Sequence, residues 1–366
     1  KYPYSAGGKG ARPVFRVEDI LDVWNILLKD YSKNYKARHG DNKWPLLIEA
    51  WKSEIEISFT ALIDGTGNFC ILPTAMDYPL RFEGPPSQTN PVTGGMAAIG
   101  MHPAETPDLI EMVGNKVIRP FVDQMKKGGI LRPCILYPGC RVSMDTVTGK
   151  LLGILVYEMN IRAGEPEMQV VARRLKNLGE LLVAALHGRL NEVSPDVRRD
   201  QISICLALVT GPGGAQGQRG YPESYTKYEP VLINFKSLAK RGILIVPSNI
   251  SWDQEKQHLI SDGSRVCYLS KNATVKSGEK RGDVAKKLRN MLLQAFDQGL
   301  VRVVPREAYE TFEAAEILFE QGNITDAEFK KARAAFEKSN RLDLRRDPGR
   351  IYEEWDKLYS DWQLAV

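Results

Sequence analysis

The sequence predicts an α+β protein: antiparallel sheets with flanking helices, then a small mixed α/β domain, then a helical tail. Three observations predict it. Glu54–Ile63 alternates Ile55, Ile57, Phe59, Ala61 and Ile63 against Glu54, Glu56, Ser58, Thr60 and Leu62, the period of a half-buried strand. The turn Asp64–Asn68 that follows makes a hairpin to Phe69–Pro73. Leu152–Tyr157 is a second apolar run, rich in branched residues, that suits a strand buried on both faces. It pairs with Cys134–Val142 across the polar turn Asp145–Lys150. Finally, Val171, Leu175, Leu178, Leu182 and Ala185 recur at helical spacing within Glu167–His187.

The bulk composition narrows the class. A chain of 366 residues can hold two or three domains. Its 43% hydrophobic and 26% charged content is ordinary for a soluble globular protein. The net charge of +5 suits an anionic small molecule and suits an unremarkable surface equally well. No basic block with interleaved aromatics points to nucleic acid, and no apolar run is long enough to cross a membrane. The five cysteines form no CxxC pair, which fits a reduced, cytoplasmic protein. The four histidines are scattered and give little support to a histidine metal site.

The remaining elements follow in order. Gly7, Gly8 and Gly10 around Lys9 make a loop whose backbone can approach phosphates, or simply a turn; GxxxxGK[ST] is absent. Asp19–Tyr31 carries a helical apolar face, Lys33–Lys43 reads as a loop, and Leu46–Trp51 reads as a short strand. Asp77–Gly95 is a long irregular segment rich in Pro and Gly, a kind of loop that is functional or disordered. Thr106 caps a helix with Pro107 at its first position. That helix runs towards Lys127, kinks or breaks at Pro120 and ends at Gly128–Gly129. Asn191–Arg199 reads as a domain boundary. Beyond it come strands at Gln201–Thr210, Ile243–Pro247 and Arg265–Ser270, a Gly-rich segment at Gly211–Gly220, and a helix at Asp283–Phe296. From Pro305 the tail is a helical hairpin packed on the preceding domain, or else a partner-binding appendage. Thr325 and Glu328 form a capping box in it, and Ile351–Trp362 adds aromatics.

The stretch Leu151–Glu167 holds the candidate chemistry. It turns polar after Tyr157, and alternation puts Glu158 and Asn160 on one side of the strand. A carboxylate and an amide oxygen are hard ligands that suit Mg²⁺ when phosphates supply further oxygens. Arg162 joins that face if the strand persists, as a planar cation for a phosphate or carboxylate. The same residues also fit a strand end running into a polar loop, and taken alone they fit that reading better.

Longer matches point to a family. KYPYSAGGKG, LIEAWKSEIEISF, NPVTGGMAAIGMHP, LYPGCR and the Glu158–Gln169 run resemble, in order, KxDGLAAGKG, VIEEFLxGEExSF, GPNTGGMGAYSP, LYAGLM and ExNxRxGDPExQ. These are segments of glycinamide ribonucleotide synthetase (phosphoribosylamine–glycine ligase), an ATP-grasp enzyme of purine synthesis. GYPESY and SDGSRVCYLS resemble segments of that family's C-terminal domain. The resemblance implies an ATP-grasp domain at 1–195, incomplete at its N-terminus, a C-terminal domain at 198–304 and an extension at 305–366. It also implies an α/β domain upstream of Lys1.

The resemblance implies roles as well. ATP is the co-substrate, with Mg²⁺ or Mn²⁺ held by Glu158 and Asn160. Lys1, Gly8, Lys9 and Gly10 contact or cover the phosphates. Backbone near Glu49, Ala50 and Trp51 meets adenine, and Glu56 is a candidate for the ribose. Glycine is activated as an acyl phosphate that phosphoribosylamine attacks, with Arg162 steadying the carboxylate. The Thr93–Gly94–Gly95 loop and Asp77 lie on the substrate side. That side also departs most from the family: Pro3 and Tyr4 stand in place of Asp-Gly, and Val92 stands where the family has Asn. The departures keep two alternatives open, an ATP-grasp ligase for a different carboxylate and amine, and a non-catalytic remnant that binds a partner through its tail.

Overall fold

The computed structural model describes residues 12, 14, 16–28, 47–50, 55–87, 89–145, 151–212 and 219–358. These fall into two compact units that meet in sequence at Gln201/Ile202. In the first, a short turn at Val17–Asp19 leads into α1 (residues 20–28). Five strands follow: β1 (Ile55–Ser58), β2 (Ala61–Ile63), β3 (Phe69–Ile71), β4 (Met76–Asp77) and β5 (Ala97–Gly100). Next come α2 (Pro107–Val113), α3 (Arg119–Lys127), β6 (Cys134–Met144), β7 (Leu151–Asn160), α4 (Glu167–Arg173) and α5 (Leu178–Leu186).

Strand β6 is the long spine. It pairs antiparallel with β1, β2 and β7, while β3 closes the β2 hairpin. The hairpin turn is built on Asp64. Its carboxylate accepts from the backbone N–H groups of Thr66, Gly67 and Asn68 at 2.9–3.0 Å and from the Thr66 hydroxyl at 2.7 Å. Gly67 takes φ +102°, a conformation that glycine adopts without strain. The apolar core lies between this sheet and the helical segment 107–127. Ile57, Phe59, Ile63, Leu136, Cys140 and Val142 meet Leu109, Val113, Ile118, Val122 and Met125 there.

Several sequence expectations need correction. The stretch expected as one half-buried strand, 54–63, is two strands, and Ile57 through Ile63 are all buried. Continuing the register from Ser58↔Gly139 and Ala61↔Leu136 puts Pro138 opposite Phe59. Proline has no N–H to give, so the ladder is interrupted at that point. Residues 47–50 are not a strand, and Ile48 is 87% exposed. Strand β7 is half-buried on one face rather than buried on both: Leu152 is 63% and Leu155 39% exposed. At Pro120 the helix does not end. It widens into a π-type turn over Gly114–Ile118, with the Arg119 N–H reaching Gly114 O, and Pro120 then falls in the first turn of α3.

The helix expected over 167–187 is two helices. Arg174 is fully buried at the break, with its guanidinium 3.5 Å from Glu105 Oε2. The strand-like segment at 196–198 takes the freed backbone groups. Arg198 N–H donates to Arg174 O at 2.8 Å, its guanidinium donates to Leu175 O at 2.8 Å, and Lys176 N–H donates to Asp196 O at 3.0 Å. Of the face that the spacing singled out, Val171, Leu175 and Ala185 are buried and Leu182 is 38% exposed, so the periodicity ran past the break without marking it.

The second unit contains β8 (Gln201–Thr210), β9 (Glu229–Ile233), α6 (Phe235–Lys240), β10 (Leu244–Pro247), β11 (Ile250–Asp253), β12 (His258–Ser261) and β13 (Arg265–Thr274). It continues with α7 (Arg281–Asp297), β14 (Val301–Val303), α8 (Arg306–Glu320), α9 (Asp326–Lys338), β15 (Leu342–Asp343) and α10 (Arg350–Leu358). Strand β8 is buried along Ile202–Thr210, with β13 beside it and β10 beyond. A second sheet runs β11–β12–β9–β14. The capping box at Thr325 and Glu328 forms, and α8 and α9 make a hairpin held by stacked rings, Phe312 on Phe336 at 4.3 Å and Phe319 on Phe329 at 4.4 Å. This hairpin shares the unit of 202–304: Arg302 donates to Phe336 O at 2.7 Å.

One buried group ties the first unit's stability to pH. His102 is fully buried, and its Nδ1 accepts from Ala104 N–H at 3.0 Å. Burial pushes its pKa down from 6.5 to about 3, against a hydrogen bond with the Glu56 backbone that favours the charged form. The unfolded chain therefore takes up a proton below pH 6.5 that the native state refuses until about pH 3. Stability from this group is complete above pH 6.5 and is lost as pH falls through that window. Urea unfolding should show a loss of about 2 kcal/mol from His102 between pH 7 and pH 5. His102→Asn should flatten that slope; an unchanged slope would contradict the assignment.

Candidate active site

The two faces of the β1–β6–β7 sheet differ in kind. On one face Ile57, Cys140, Val142, Ile154, Val156 and Met159 belong to or pack on the core. On the other, cross-strand partners are polar: Glu56 opposite Arg141, Ser58 opposite Gly139, Glu158 opposite Gly139, and Asn160 opposite Tyr137.

Strict alternation along β7 would put Glu158 on the face of Ile154 and Val156, inside the core. A β-bulge prevents this. Gly139 pairs with Glu158 and Cys140 with Val156, leaving Tyr157 as the extra residue. The inserted residue shifts the phase by one, so Met159 turns to the core while Glu158 and Asn160 turn to the polar face. A second bulge near Leu152 likewise keeps Leu151 on the core side. The first bulge needs Gly139. A Cβ there would lie 2.7 Å from the Tyr157 ring and 2.9 Å from Glu158 Cγ.

The polar groups on that face are hydrogen-bonded in neighbouring clusters. Asn160 Nδ2 donates to Glu158 Oε1 at 3.0 Å, which places the two predicted metal ligands side by side. Tyr157 donates its hydroxyl hydrogen to Glu56 Oε1 at 2.7 Å, and Arg141 reaches Glu56 Oε2 at 3.1 Å. Burial raises the Glu56 pKa and the nearby Glu158 charge adds to that, while Tyr157 and Arg141 oppose them. Burial and then the Glu56 carboxylate push the Tyr157 phenol far up, so it stays a neutral donor.

The loop residues close the same region from the other side. Gly95 has φ +104°, and a Cβ on it would meet Pro166 Cδ at 2.6 Å, Asp77 Oδ1 at 2.9 Å and Glu165 O at 3.1 Å. Asp77 and residues 165–166 therefore both crowd Gly95. A Cβ on Gly164 would meet the Tyr137 ring at 2.7 Å and Glu167 at 3.0 Å. Tyr137 donates a short hydrogen bond to buried Glu167, and its hydroxyl also lies 3.1 Å from Ser58 Oγ. Burial, then the Glu167 charge, then Asp77 raise the Tyr137 pKa well above its ordinary value.

The segment expected to be an irregular 77–95 loop is a stitched hairpin. Tyr78 and Met96 extend the β4–β5 ladder, Leu80 bridges Val92, and Asn90 ties the tip through Phe82 N–H at 2.7 Å and Pro85 O at 3.1 Å.

Other predicted site residues sit differently. The Thr93 hydroxyl donates to Pro79 O at 2.8 Å and accepts from Gly95 N–H at 3.1 Å, so it braces its own loop; Gly94 lies between them. The strand ends at Asn160, so Arg162 does not continue its face. Arg162 is exposed and donates to Ala163 O at 2.8 Å. Glu49 and Ala50 are exposed in an irregular segment. Lys1, Gly8, Lys9, Gly10 and Trp51 lie outside the described residues, as do most of the Gly211–Gly220 segment, the turn 146–150 and the end of the tail. Sequence reasoning gave no role to Tyr157, Arg141 and Tyr137. Ser58 and Glu167 figured only as parts of matched motifs. The available signal for the bulge was Val156 followed by Met159, a core spacing of three within a strand.

The donor set fits a divalent cation of the Mg²⁺ kind. Such an ion keeps several waters and takes one or two carboxylates plus substrate phosphates. Glu158 and Asn160 are the residues that would supply the protein oxygens. Among the described residues no group of three or more His, Cys, Asp and Glu side chains could hold a metal ion, so the remaining ligands would come from elsewhere.

Comparison with known proteins identifies the family. The family profile "Phosphoribosylglycinamide synthetase, ATP-grasp (A) domain" matches residues 7–168. A phosphoribosylamine–glycine ligase of Vigna unguiculata is 30% identical over 268 residues, 71% of this chain and 76% of the relative. The chain belongs to the phosphoribosylamine–glycine ligase family. The ligase of Listeria monocytogenes serovar 1/2a is 31% identical over 272 residues, 74% of this chain and 58% of that protein. The crystal structure of the Thermotoga maritima phosphoribosylamine–glycine ligase superposes with a TM-score of 0.51 at 21% identity, covering 73% of this chain and 60% of that one. The α+β fold of the family is thus the ATP-grasp fold. Against several family members the chain spans only 31–58% of their length.

Gly139 offers a direct test of the bulge. Gly139→Ala should destabilise the chain by about 1–3 kcal/mol in urea unfolding. Gly153→Ala in the same strand, where a Cβ meets nothing within 4 Å, should change stability little. Equal effects at the two positions would contradict the role given to Gly139.

Proposed function

We propose that the chain carries the activity for which its family is named: joining glycine to phosphoribosylamine, with ATP converted to ADP and phosphate, in the cytoplasm. The supporting observation is the Glu158–Asn160 pair, turned by the bulge onto a polar face with Glu56, Tyr137 and Asp77 nearby. We assign 1–195 to the ATP-grasp domain, 198–304 to the family's C-terminal domain and 305–366 to an extension. Among the described residues no helix is long and apolar enough to cross a membrane.

The chain's own groups divide the work. Glu158 and Asn160 hold Mg²⁺, or Mn²⁺ in its place, which when bound supplies positive charge to the triphosphate. Lys1, Gly8, Lys9 and Gly10 take the phosphates, and the segment Glu49–Trp51 takes the adenine. Glu56 accepts from the ribose hydroxyls. The carboxylate of glycine attacks the γ-phosphorus, the bond to the β-phosphate oxygen breaks, and ADP leaves. The amine of phosphoribosylamine then displaces phosphate from the acyl carbon and loses a proton as the amide forms. Arg162, which donates to Ala163 O, would turn from that contact to steady an incoming carboxylate. Asp77 and the Thr93–Gly95 loop border the substrate. Positioning and electrostatics carry such a reaction.

A second reading concerns substrate alone. The departures from the family in the 77–92 loop, with Val92 in place of an asparagine, support a different carboxylate and amine on the same ATP chemistry. ADP release by the full-length protein discriminates the two. Release that needs both glycine and phosphoribosylamine supports the first; release only with other acids and amines supports the second. Under either, Glu158→Gln should lower kcat at least about a hundredfold with the fold intact by circular dichroism. Retained turnover would remove Glu158 from the metal site.

A further inference from the structure

The bulge residue itself has no place in the sheet's pairing or in its apolar core. Tyr157 faces no partner in the β6–β7 register, and the core cluster does not include it. Its ring instead packs over Gly139, and the Arg141 guanidinium lies 5.9 Å from the ring centre, within range of a cation–π contact. Its hydroxyl ends 2.7 Å from Glu56 Oε1. Arg141 holds the other oxygen, Oε2, at 3.1 Å. The charged and titratable groups around the Glu56 carboxylate are thus Arg141 on β6 with Tyr157 and Glu158 on β7, while His102 meets its backbone.

A carboxylate oxygen accepts two hydrogen bonds, so each Glu56 oxygen keeps one lone pair for a ligand. Two donors from two strands fix the plane of the carboxylate and therefore the direction of those lone pairs. With Tyr157 gone, Arg141 alone would set the orientation, and the group could rotate about that single contact.

We propose that Tyr157 is a positioning residue that holds Glu56 in the orientation by which the site tells a ribonucleotide from a 2′-deoxyribonucleotide. This rests on the nucleotide-binding reading above, with Glu56 at the ribose. Tyr157 touches no nucleotide; it acts through Glu56.

The test is calorimetric titration of the full-length protein with Mg²⁺ and the β,γ-imido analogue of ATP, and separately with its 2′-deoxy counterpart. The ratio of the two Kd values is the readout, because general loosening of the fold weakens both ligands alike. The wild-type chain should prefer the ribonucleotide about tenfold, the worth of one hydrogen bond to a charged acceptor. Tyr157→Phe keeps the ring and should bring the ratio to within about twofold of unity, chiefly by weakening the ribonucleotide. Arg141→Met removes the other contact and should move the ratio in the same direction, which covers the case of a poorly folding Tyr157 variant. A wild-type chain that binds while both variants keep its ratio overturns this proposal alone. A wild-type chain that binds neither nucleotide overturns the ligase reading and this proposal with it.

Discussion

The site depends on one extra residue in one strand. A strand with Ile154 and Val156 in the core has no means of presenting Glu158 and Asn160 to solvent unless its alternation slips by one position. The bulge at Tyr157 supplies the slip, and Gly139 on the facing strand supplies the room. The alternative is a carboxylate buried among aliphatic side chains without a partner, which is heavily unfavourable. Core and site are therefore two faces of a single sheet, and the same register decides both.

Glycine recurs wherever this site is narrow. Gly139 admits Tyr157 and Glu158, Gly95 admits Asp77 and Pro166, and Gly164 admits Tyr137 and Glu167. In each case a β-carbon would fall within 3 Å of another group, so the constraint is close approach as much as backbone freedom. The effect is to gather acidic groups, Asp77, Glu56, Glu158 and Glu167, around two phenols. Two tyrosine donors and Arg141 offset part of that charge. A cation bound at Glu158 would offset more, so an acidic site of this kind favours metal and phosphate arriving together.

Much of this was legible in the residues. The hairpins at 61–71 and 134–160, the Thr106 cap and the Thr325 capping box follow from local chemistry and appear as expected. Glu158 and Asn160 do share a face, for the period-two reason given. What was missed was the phase of that face against the core, because a bulge is a property of the register between two strands, and pairing them by pattern does not fix that register. The split of the 167–187 helix was hidden for a similar reason: its cause is segment 196–198 taking the carbonyls around Arg174. The single strand expected at 54–63 failed on Pro138, a residue far away in sequence. In each case a partner element overrode a correct local pattern.

The most direct test of the central claim is a crystal structure of the full-length protein with Mn²⁺ and a non-hydrolysable ATP analogue. The account predicts an anomalous manganese peak within about 2.5 Å of a Glu158 carboxylate oxygen and the Asn160 amide oxygen, with Met159 still in the core. Manganese bound elsewhere, or Glu158 turned to the side of Val156, would contradict it.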